Sequence, residues 1–385
     1  MLGAISTPAG VDRFDLPKFH PVINAHWKAL LQFFEHANEV MTDVKSRLKE
    51  NGIQPPTSTK KLRHINQTYT NETITVMTVN QGQIDLLVNF FCAAKSRKLD
   101  LHRVLVFVTD EESKKLVEDF SKDLGVMVYY DKWNFDTIPK GGDNVKYGDE
   151  TFTSMMFAKI LCVLYVNMIG YDTLYQDVDI VYYRNPLEFF NEYGRSGGSQ
   201  NYDIIFQHDG SSQPRYAPYS SNSGFFNATS NKKVQYLFTS LLYHGDLIRK
   251  IRSHQQVLTQ LLLEHSSMFG LKVKVLDRHE YNQFPGGYHF NYDHSTMHQI
   301  IKGDLEPYIF HMFWTDGKAT KVKYLKQFGE WYVNDVCSRE ESLSSAASID
   351  CCSAKPLIEC YYKDKPSVIP CNDSPLHDKN GKSFW

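Results

Sequence analysis

The feature that most constrains the fold is a regular alternation of short apolar runs and longer helical runs between residues 73 and 130. The short runs are rich in β-branched residues, which favours buried strands, and the longer runs carry apolar residues at helical spacing. The predicted strands cover 74–79, 104–108 and 126–130, and the predicted helices cover 84–98 and 111–124. Because parallel strands need a crossover between them, this order predicts an α/β fold with a mostly parallel sheet and helices on both faces.

Two carboxylates, Asp177 and Asp179, stand between an apolar run at 173–175 and a β-rich run at 180–183. Side chains at i and i+2 of an extended chain point to the same side, so both acids can converge beyond the carboxyl edge of the sheet, where open α/β folds bind ligands. Two close carboxylates repel each other and resist burial, and a divalent cation such as Mg²⁺ or Mn²⁺ removes both penalties. The competing interpretation is a polar turn whose acids face water, which is the usual meaning of an isolated Asp-x-Asp.

Composition excludes some classes of partner. The chain has 385 residues, of which 22% are charged and 42% apolar, as in ordinary globular proteins. A net charge of -2 gives no electrostatic basis for binding nucleic acid or an anionic membrane. Aromatic residues reach 14%, which suits a sugar-binding site but is equally explained by core packing.

The seven cysteines divide into two groups. Cys92 and Cys162 lie within apolar helical patterns and are predicted to be buried free thiols. The other five lie in a tail that is poor in apolar residues, so disulfide bonds are expected to stabilise it. Because five cysteines cannot pair evenly, at least one is expected to stay unpaired. A zinc site is the alternative, although the tail has no Cys-x-x-Cys and offers only His377 nearby. The five are Cys337, Cys351, Cys352, Cys360 and Cys371.

Four glycosylation acceptors favour the secretory pathway, together with the cysteine-dense tail. They are Asn66, Asn71, Asn227 and Asn372. No window approaches the ~18 to 20 apolar residues of a membrane span, and the first residues lack a signal-peptide core. We therefore expect a native leader or anchor upstream of this chain, or one that was removed, and membrane attachment only through it.

An amphipathic run at 26–48 is predicted to be a helical stem without chemistry. Its apolar positions are Trp27, Leu30, Leu31, Phe34, Ala37, Val40, Met41, Val44 and Leu48. Further along, predicted helices cover 152–169, 187–190, 232–247 and 253–264, and predicted strands cover 203–207, 272–276 and 307–311. Lys159 either snorkels from the first of these helices or reaches the site, and Asp209 is either a site residue or part of a turn.

Together these pieces resemble the nucleotide-diphospho-sugar transferases grouped as glycosyltransferase family 77, over about 75–333. The resemblance rests on five blocks in order: Thr78-Val79-Asn80-Gln81, Lys159 in its helix, Leu174 to Val181, Asn222 to Phe226, and His311 to Lys318. It implies a single GT-A domain with a Rossmann-like, mixed sheet at 71–335, between a stem at 1–70 and a Cys-rich extension at 336–385. It also implies a donor that is a nucleotide sugar, expected to be UDP-linked, a divalent metal, a glycan or protein acceptor, retention of configuration, and the Golgi lumen.

The resemblance also assigns roles to residues. Asp177, Asp179 and His311 would hold the metal, and the histidine favours Mn²⁺ over Mg²⁺. Lys318 would neutralise the leaving diphosphate, with Lys321 as the fallback. The donor would further be bound by Lys159, Asn80 and Gln81, the last two at the base or ribose, while Asn222 and Gly224 would border the sugar. Asp209 and Gln255 would act near the sugar or the acceptor.

The sequence departs from the family at His254-Gln255, where the family usually has Asp-Gln. Gln255 fits, but His254 replaces an acid, so either the choice of donor or acceptor differs or the alignment is displaced there.

Two other functions compete. A glycoside hydrolase needs two carboxyls about 5 to 10 Å apart across the scissile bond, which a metal-sharing i, i+2 pair does not suit. A secreted carbohydrate-binding or catalytically silent homologue of the same fold is the second alternative. Neither the sugar, the acceptor nor the choice between a covalent and a front-face mechanism follows from the sequence.

Overall fold

The computed structural model describes residues 16–54, 73–136, 138, 148–195, 202–211, 213–278, 283–337, 351–362 and 365–367. The strands are β1 Thr73–Val79, β2 Val104–Val108, β3 Met127–Tyr130, β4 Asp172–Gln176, β5 Ile180–Tyr182, β6 Ile204–His208, β7 Ser221–Ala228, β8 Val273–Val275, β9 Ile309–His311, β10 Cys360–Tyr362 and β11 Lys365–Ser367. The helices are α1 Leu16–Glu50, α2 Ile84–Ser96, α3 Glu111–Ser121, α4 Glu150–Met168, α5 Pro186–Arg195, α6 Lys232–Tyr243, α7 Gly245–Ile251, α8 His254–Phe269, α9 Gly287–Tyr292, α10 His294–Lys302 and α11 Lys318–Gln327.

Seven strands form the central sheet in the order β3-β2-β1-β4-β7-β6-β8. Every pairing is parallel except those of β7, which runs antiparallel to both β4 and β6. The predicted mixed, mostly parallel GT-A sheet is therefore confirmed. The antiparallel strand itself was not predicted, because the small and polar residues that open β7 do not form an apolar run.

Helices cover both faces of the sheet, as predicted. In β1, Met77 and Val79 belong to a core shared with α2 and α10, while Ile74 and Val76 belong to a core shared with α1, α4, α6 and α8. This alternation follows from the pleat, since successive side chains of a strand point to opposite faces. β1 is consequently buried along its whole length.

A second, two-stranded sheet determines where the site forms. β5 pairs antiparallel with β9, so that Ile180 lies opposite His311. The run at 307–311 was correctly predicted to be extended, but it lies beside β5 instead of in the central sheet. This pairing brings the end of β9 to the acids that precede β5.

The buried face of α1 differs in part from the predicted apolar face. Leu30, Phe33 and Val40 are buried, whereas Leu31 is 65% and Phe34 50% exposed. The side chain of Trp27 lies outside the described residues. Since Phe33 and Phe34 both fit an approximate helical spacing, the contacts of α1 with α4 and α7 decide which of them faces the core.

One further helical prediction needs correction. The predicted helix at 232–247 is divided into α6 and α7 at His244, whose ring Nδ1 lies 2.6 Å from the carbonyl of Ser240. By length and composition α4 could cross a membrane, although it contains no uninterrupted apolar run of ~18 to 20 residues. It is mostly buried within the protein, however, as the core helix of a globular domain would be.

The disulfides also differ from the prediction. Cys92, predicted to be a free thiol, is bonded to Cys352, and Cys337 is bonded to Cys351. Cys162 is buried and free, as predicted. The side chains of Cys360 and Cys371 lie outside the described residues. The apolar setting of Cys92 indicated its burial correctly but carried no information on a partner 260 positions away.

One predicted glycosylation acceptor is inaccessible. Asn227 lies in β7 with only 2% of its surface exposed, so the folded chain cannot present it for glycosylation. Asn66, Asn71 and Asn372 lie outside the described residues.

Candidate active site

A cavity of about 570 Å³ opens at the carboxyl edge of the central sheet. Its wall includes residues that follow β1 and β4, residues of β7, and the first turns of α8 and α11. This is the position at which open α/β sheets bind ligands, because the loops that leave parallel strands meet there.

The two acids and the histidine meet in this cavity. Asp177 follows β4, Asp179 precedes β5, and His311 ends β9, so the pairing of β5 with β9 brings all three together. Their ligand atoms lie within 4.8 Å of one another. Asp179 is 6% and His311 1% exposed, so water has little access to the Asp179 carboxylate or to the His311 ring.

The hydrogen bonds around His311 indicate which of its two ring nitrogens carries the proton. Gln207 donates through Nε2 to the carbonyl of Phe284 at 2.8 Å, so its Oε1 is the acceptor that faces His311 Nδ1, also at 2.8 Å. The proton of the neutral ring therefore resides on Nδ1, and Nε2 carries a lone pair. Nε2 lies 3.3 Å from Oδ1 of Asp179. Two acceptors at this distance need a proton or a cation between them, and the donor set of two carboxylates and an imidazole fits a divalent metal.

Two lysines already neutralise the acids. Lys159 Nζ lies 2.7 Å from Oδ1 of Asp177, and Lys321 Nζ lies 2.6 Å from Oδ2 of Asp179. Burial by itself raises the pKa of Asp179, but the pKa lies below its usual range, and the charge of Lys321 is the largest of the effects that lower it. Lys159 thus reaches the site instead of snorkelling to the surface.

Lys318, the first choice for the diphosphate, lies in the cavity wall and forms an ion pair with Asp85 at 3.2 Å. Lys321, the fallback, is the lysine that contacts the acids. Both are in the first turn of α11, where the helix dipole also favours an anion.

Position 224 has no room for a side chain, so it requires glycine. A Cβ at this position would lie 2.3 Å from Oδ2 of Asp177 and 2.7 Å from Cε1 of His311. The backbone of Gly224 accepts a hydrogen bond from the Asp177 amide at 2.8 Å and donates one to Oδ1 of Asn222 at 2.7 Å. Asn222 and Gly224 therefore lie beside the acids and hold the turn after β4 in place.

Asp209 and Gln255 also lie in the cavity wall. Asp209 accepts a hydrogen bond from Asn222 Nδ2 at 3.1 Å, and burial raises the pKa of its carboxyl above the usual range. Oε1 of Gln255 accepts from the backbone amide of Ser223 at 3.1 Å and from its hydroxyl at 2.9 Å. Gln255 therefore joins the start of α8 to β7.

At the opposite side of the acids, Asn80 follows β1, is 2% exposed and lines the cavity. Gln83 contributes to the described cavity wall, whereas Gln81 does not. Both belong to the turn between β1 and α2.

Sequence reasoning missed several residues of the site. Tyr175 donates through its hydroxyl to Oδ1 of Asp177 at 3.1 Å and lies 2.9 Å from the hydroxyl of Thr78. Its position two residues before Asp177 was the available signal, since it points to the same side of the strand. Trp314, which donates through Nε1 to the carbonyl of Asp209 at 2.7 Å, gave no such signal because the contact is non-local.

A model of the nucleotide-diphospho-sugar transferases matches residues 100–325, more than half of the chain. The chain belongs to the nucleotide-diphospho-sugar transferase family. The resemblance drawn from the sequence is therefore confirmed, and the site described above lies mostly within the part that matches this family.

Two curated relatives of this transferase family member are themselves named as glycosyltransferases. The β-arabinofuranosyltransferase RAY1 of Arabidopsis thaliana is 24% identical over 281 residues, which cover 68% of this chain and 48% of the relative. The UDP-galactose:fucoside α-3-galactosyltransferase of Dictyostelium discoideum is 22% identical over 311 residues, covering 72% of this chain and 45% of the relative. The chain thus spans about half the length of these relatives.

Solved glycosyltransferases are also similar. The galactosyltransferase LgtC is 11% identical with a TM-score of 0.40, covering 62% of this chain and 86% of LgtC. Mouse xyloside xylosyltransferase 1 is 14% identical with a TM-score of 0.38, covering 63% of this chain and 98% of the mouse protein.

Proposed function

We propose that this transferase family member is a metal-dependent, retaining glycosyltransferase that moves a sugar from a UDP-sugar to a glycan or protein acceptor. The observation that supports this most is the convergence of Asp177, Asp179 and His311 within 4.8 Å in a cavity at the carboxyl edge of the sheet. A hydrolase would need no such cluster, because its two carboxyls work from opposite sides of the bond.

The three residues would hold Mn²⁺, with Mg²⁺ as the second choice because a neutral imidazole is a poorer ligand for it. A bound divalent ion supplies positive charge for the leaving diphosphate. Lys318 and Lys321 add two more cations at the first turn of α11, where the helix dipole acts in the same direction. Breaking the bond between sugar and phosphate places negative charge at this point, so these groups would stabilise the transition state.

The sugar would lie on the β7 side of the acids. Asp209, Asn222 and Gln255 line the cavity there and offer carboxyl and amide groups to its hydroxyls. Galactose and arabinofuranose, named for the two relatives, are the first donors to test, followed by xylose.

The oxidising secretory pathway is the proposed compartment, in keeping with a Golgi transferase. Cys92–Cys352 and Cys337–Cys351 are disulfides of the kind that persist in such compartments and are rare in the cytosol.

The direct test measures release of UDP from UDP-galactose, UDP-arabinofuranose and UDP-xylose, with water taking the sugar, in Mn²⁺ and in EDTA. We expect release with Mn²⁺, loss of it with EDTA, and a drop of at least about 100-fold for Asp179→Asn, which keeps the size of the side chain but removes the charge. A lectin-like homologue would release nothing. Undiminished release in EDTA or by Asp179→Asn would contradict the proposal.

A further inference from the structure

The ion pair between Lys318 and Asp85 joins a cavity residue to a carboxylate that the proposed chemistry does not use. Lys318 Nζ lies 3.2 Å from Oδ2 of Asp85, and the two side chains are only 12% and 13% exposed. Lys318 lines the cavity, whereas Asp85 lies outside the described part of the cavity wall. A ligand in the cavity can therefore contact the lysine while Asp85 stays beside it as a second anion.

The ends of two helices explain why this pair forms. Asp85 is in the first turn of α2, where the helix dipole favours a negative charge, and its Oδ1 accepts a hydrogen bond from the amide of Leu86 at 2.9 Å. Lys318 is the first residue of α11, where a positive charge is unfavourable, and the N-cap residue Gly317 has no side chain to compensate. Lys318 therefore depends on a nearby anion, and Asp85 supplies one.

Further contacts keep α2 close to the chain that follows α11. Asn89 of α2 donates through Nδ2 to the carbonyl of Glu330 at 3.0 Å, and its Oδ1 accepts from the amide of Tyr332 at 2.7 Å. The side chains of Asn89 and Glu330 are buried, so water does not compete for these bonds. Asp85 is thus held within reach of Lys318 when a ligand enters the cavity.

We propose that Asp85 competes with the diphosphate for Lys318 and thereby weakens the binding of UDP, so that the product leaves the site faster. The proposal rests on the function given above, since it needs the diphosphate of a nucleotide at Lys318. A ligand anion must share the lysine with a negative charge that is fixed nearby, which reduces the net attraction. When UDP leaves, the lysine returns to a partner that is already in place.

The competition should affect the product more than the donor. UDP has a terminal phosphate that is largely ionised at neutral pH, and it therefore carries more negative charge than a UDP-sugar. The repulsion between Asp85 and the ligand is correspondingly greater for UDP. Asp85 is a positioning residue in this proposal, because it acts on the ligand through Lys318.

The test is calorimetric binding of UDP at saturating Mn²⁺ and low ionic strength. Asp85→Asn keeps the size of the side chain and the acceptor for the Leu86 amide but removes the charge. We expect its Kd for UDP to fall about three- to fivefold, the effect of one partly buried ion pair, and the release of UDP in a stopped-flow chase to slow. The Kd for uridine, measured by NMR titration, should not change, because uridine has no phosphate.

Two comparisons extend the test. The donor that the wild-type protein binds most tightly, among UDP-galactose, UDP-arabinofuranose and UDP-xylose, should show a smaller fall in Kd than UDP does. Lys318→Met should raise the Kd of UDP, because it removes the cation for which the two anions compete. Asp85→Ser also offers an acceptor to the Leu86 amide, and it replaces Asp85→Asn if that variant does not fold.

Glu359→Gln is the matched control. Glu359 pairs with Lys326 in the last turn of the same helix α11, outside the described cavity wall. This substitution should lower stability without changing the Kd of UDP. An unchanged or higher Kd of UDP in Asp85→Asn would overturn the proposal, as would an unchanged Kd in Lys318→Met. In both cases the wild-type protein still binds UDP, so the proposed function stands. A wild-type protein that binds no UDP would overturn both.

Discussion

Around Asp177 and Asp179, the size and hydrogen bonding of the neighbouring residues matter as much as their charge. Gly224 leaves space for Asp177 and His311, and Gln207 fixes which nitrogen of His311 faces Asp179. Neither effect is visible in a list of charged residues. The arrangement of Asp177, Asp179 and His311 therefore depends on neutral neighbours through their shape and their hydrogen bonds.

Gly224→Ala should reduce the affinity for Mn²⁺ by at least about tenfold and destabilise the protein by about 1 to 3 kcal/mol, because the new methyl group would displace the Asp177 carboxylate. Titration calorimetry and urea unfolding measure the two effects. Gly303→Ala is the control, since its Cβ would meet nothing within 4 Å and only its positive φ of 78° is strained. Unchanged metal affinity in Gly224→Ala would show that the acids tolerate displacement.

The helix α11 brings two lysines to the site in different electrostatic settings. Lys321 contacts Asp179, which is almost fully buried, whereas Lys318 contacts Asp85 of α2. The family resemblance implied that Lys318 would neutralise the diphosphate, with Lys321 as the fallback. Which acid each lysine meets depends on where α11 lies relative to Asp85 and Asp179, and local spacing does not encode this position.

Lys321→Met should lower the thermal unfolding temperature of the metal-free protein, because it leaves Asp179 buried with one cationic partner fewer. Mn²⁺ should then raise that temperature more than it does for the wild type, since the ion replaces the missing charge and no longer competes with the lysine. Lys318→Met is the matched comparison and should show the wild-type response to Mn²⁺. A thermal shift series with and without Mn²⁺ measures both, and equal responses of the two variants would refute the distinction.

The packing of α6 against α8 makes stability depend on pH. His265 of α8 lies 3.1 Å from the hydroxyl of Ser240, and burial lowers its pKa to about 4 from a usual value of 6.5. The unfolded chain therefore takes up the proton first as the pH falls. The contribution of His265 is complete above pH 6.5 and decreases between 6.5 and about 4, by at most about 1.4 kcal/mol per pH unit.

Urea unfolding at pH 7.5, 6.5 and 5.5 tests this dependence. His265→Gln should be less stable at pH 7.5 but should lose less stability on acidification than the wild type does. Parallel curves for the two proteins would show that His265 does not carry the dependence.

Over the whole chain, the disulfides connect segments that are far apart in sequence. Cys92 in α2 is joined to Cys352 across 260 positions, while Cys337 and Cys351 are only 14 apart. Residues near the second bond also contact the domain: the amide of Leu357 donates to the carbonyl of Trp331, and Lys326 of α11 pairs with Glu359. The segment from 351 to 359 is thus held against α11, the helix that carries the site lysines.

Replacing Cys92 and Cys352 by alanine should cost about 4 to 5 kcal/mol of stability, and replacing Cys337 and Cys351 about 3 kcal/mol, because a longer closed loop restricts the unfolded chain more. Guanidinium unfolding of the two double variants provides the comparison, and peptide mapping without reduction verifies the bonds. Equal losses would indicate that loop length does not determine the contribution.

The sequence alone determined the alternation of strands and helices and the acid pair at the end of β4. These features are local, since they depend on residues within a few positions of each other. The tertiary structure alone decided that β7 runs antiparallel, that β5 pairs with β9 and brings His311 to Asp179, that Lys321 contacts the acids, and that Cys92 is bonded. Each of these is a contact between distant segments, and local periodicity carries no information on which distant partner an element will meet.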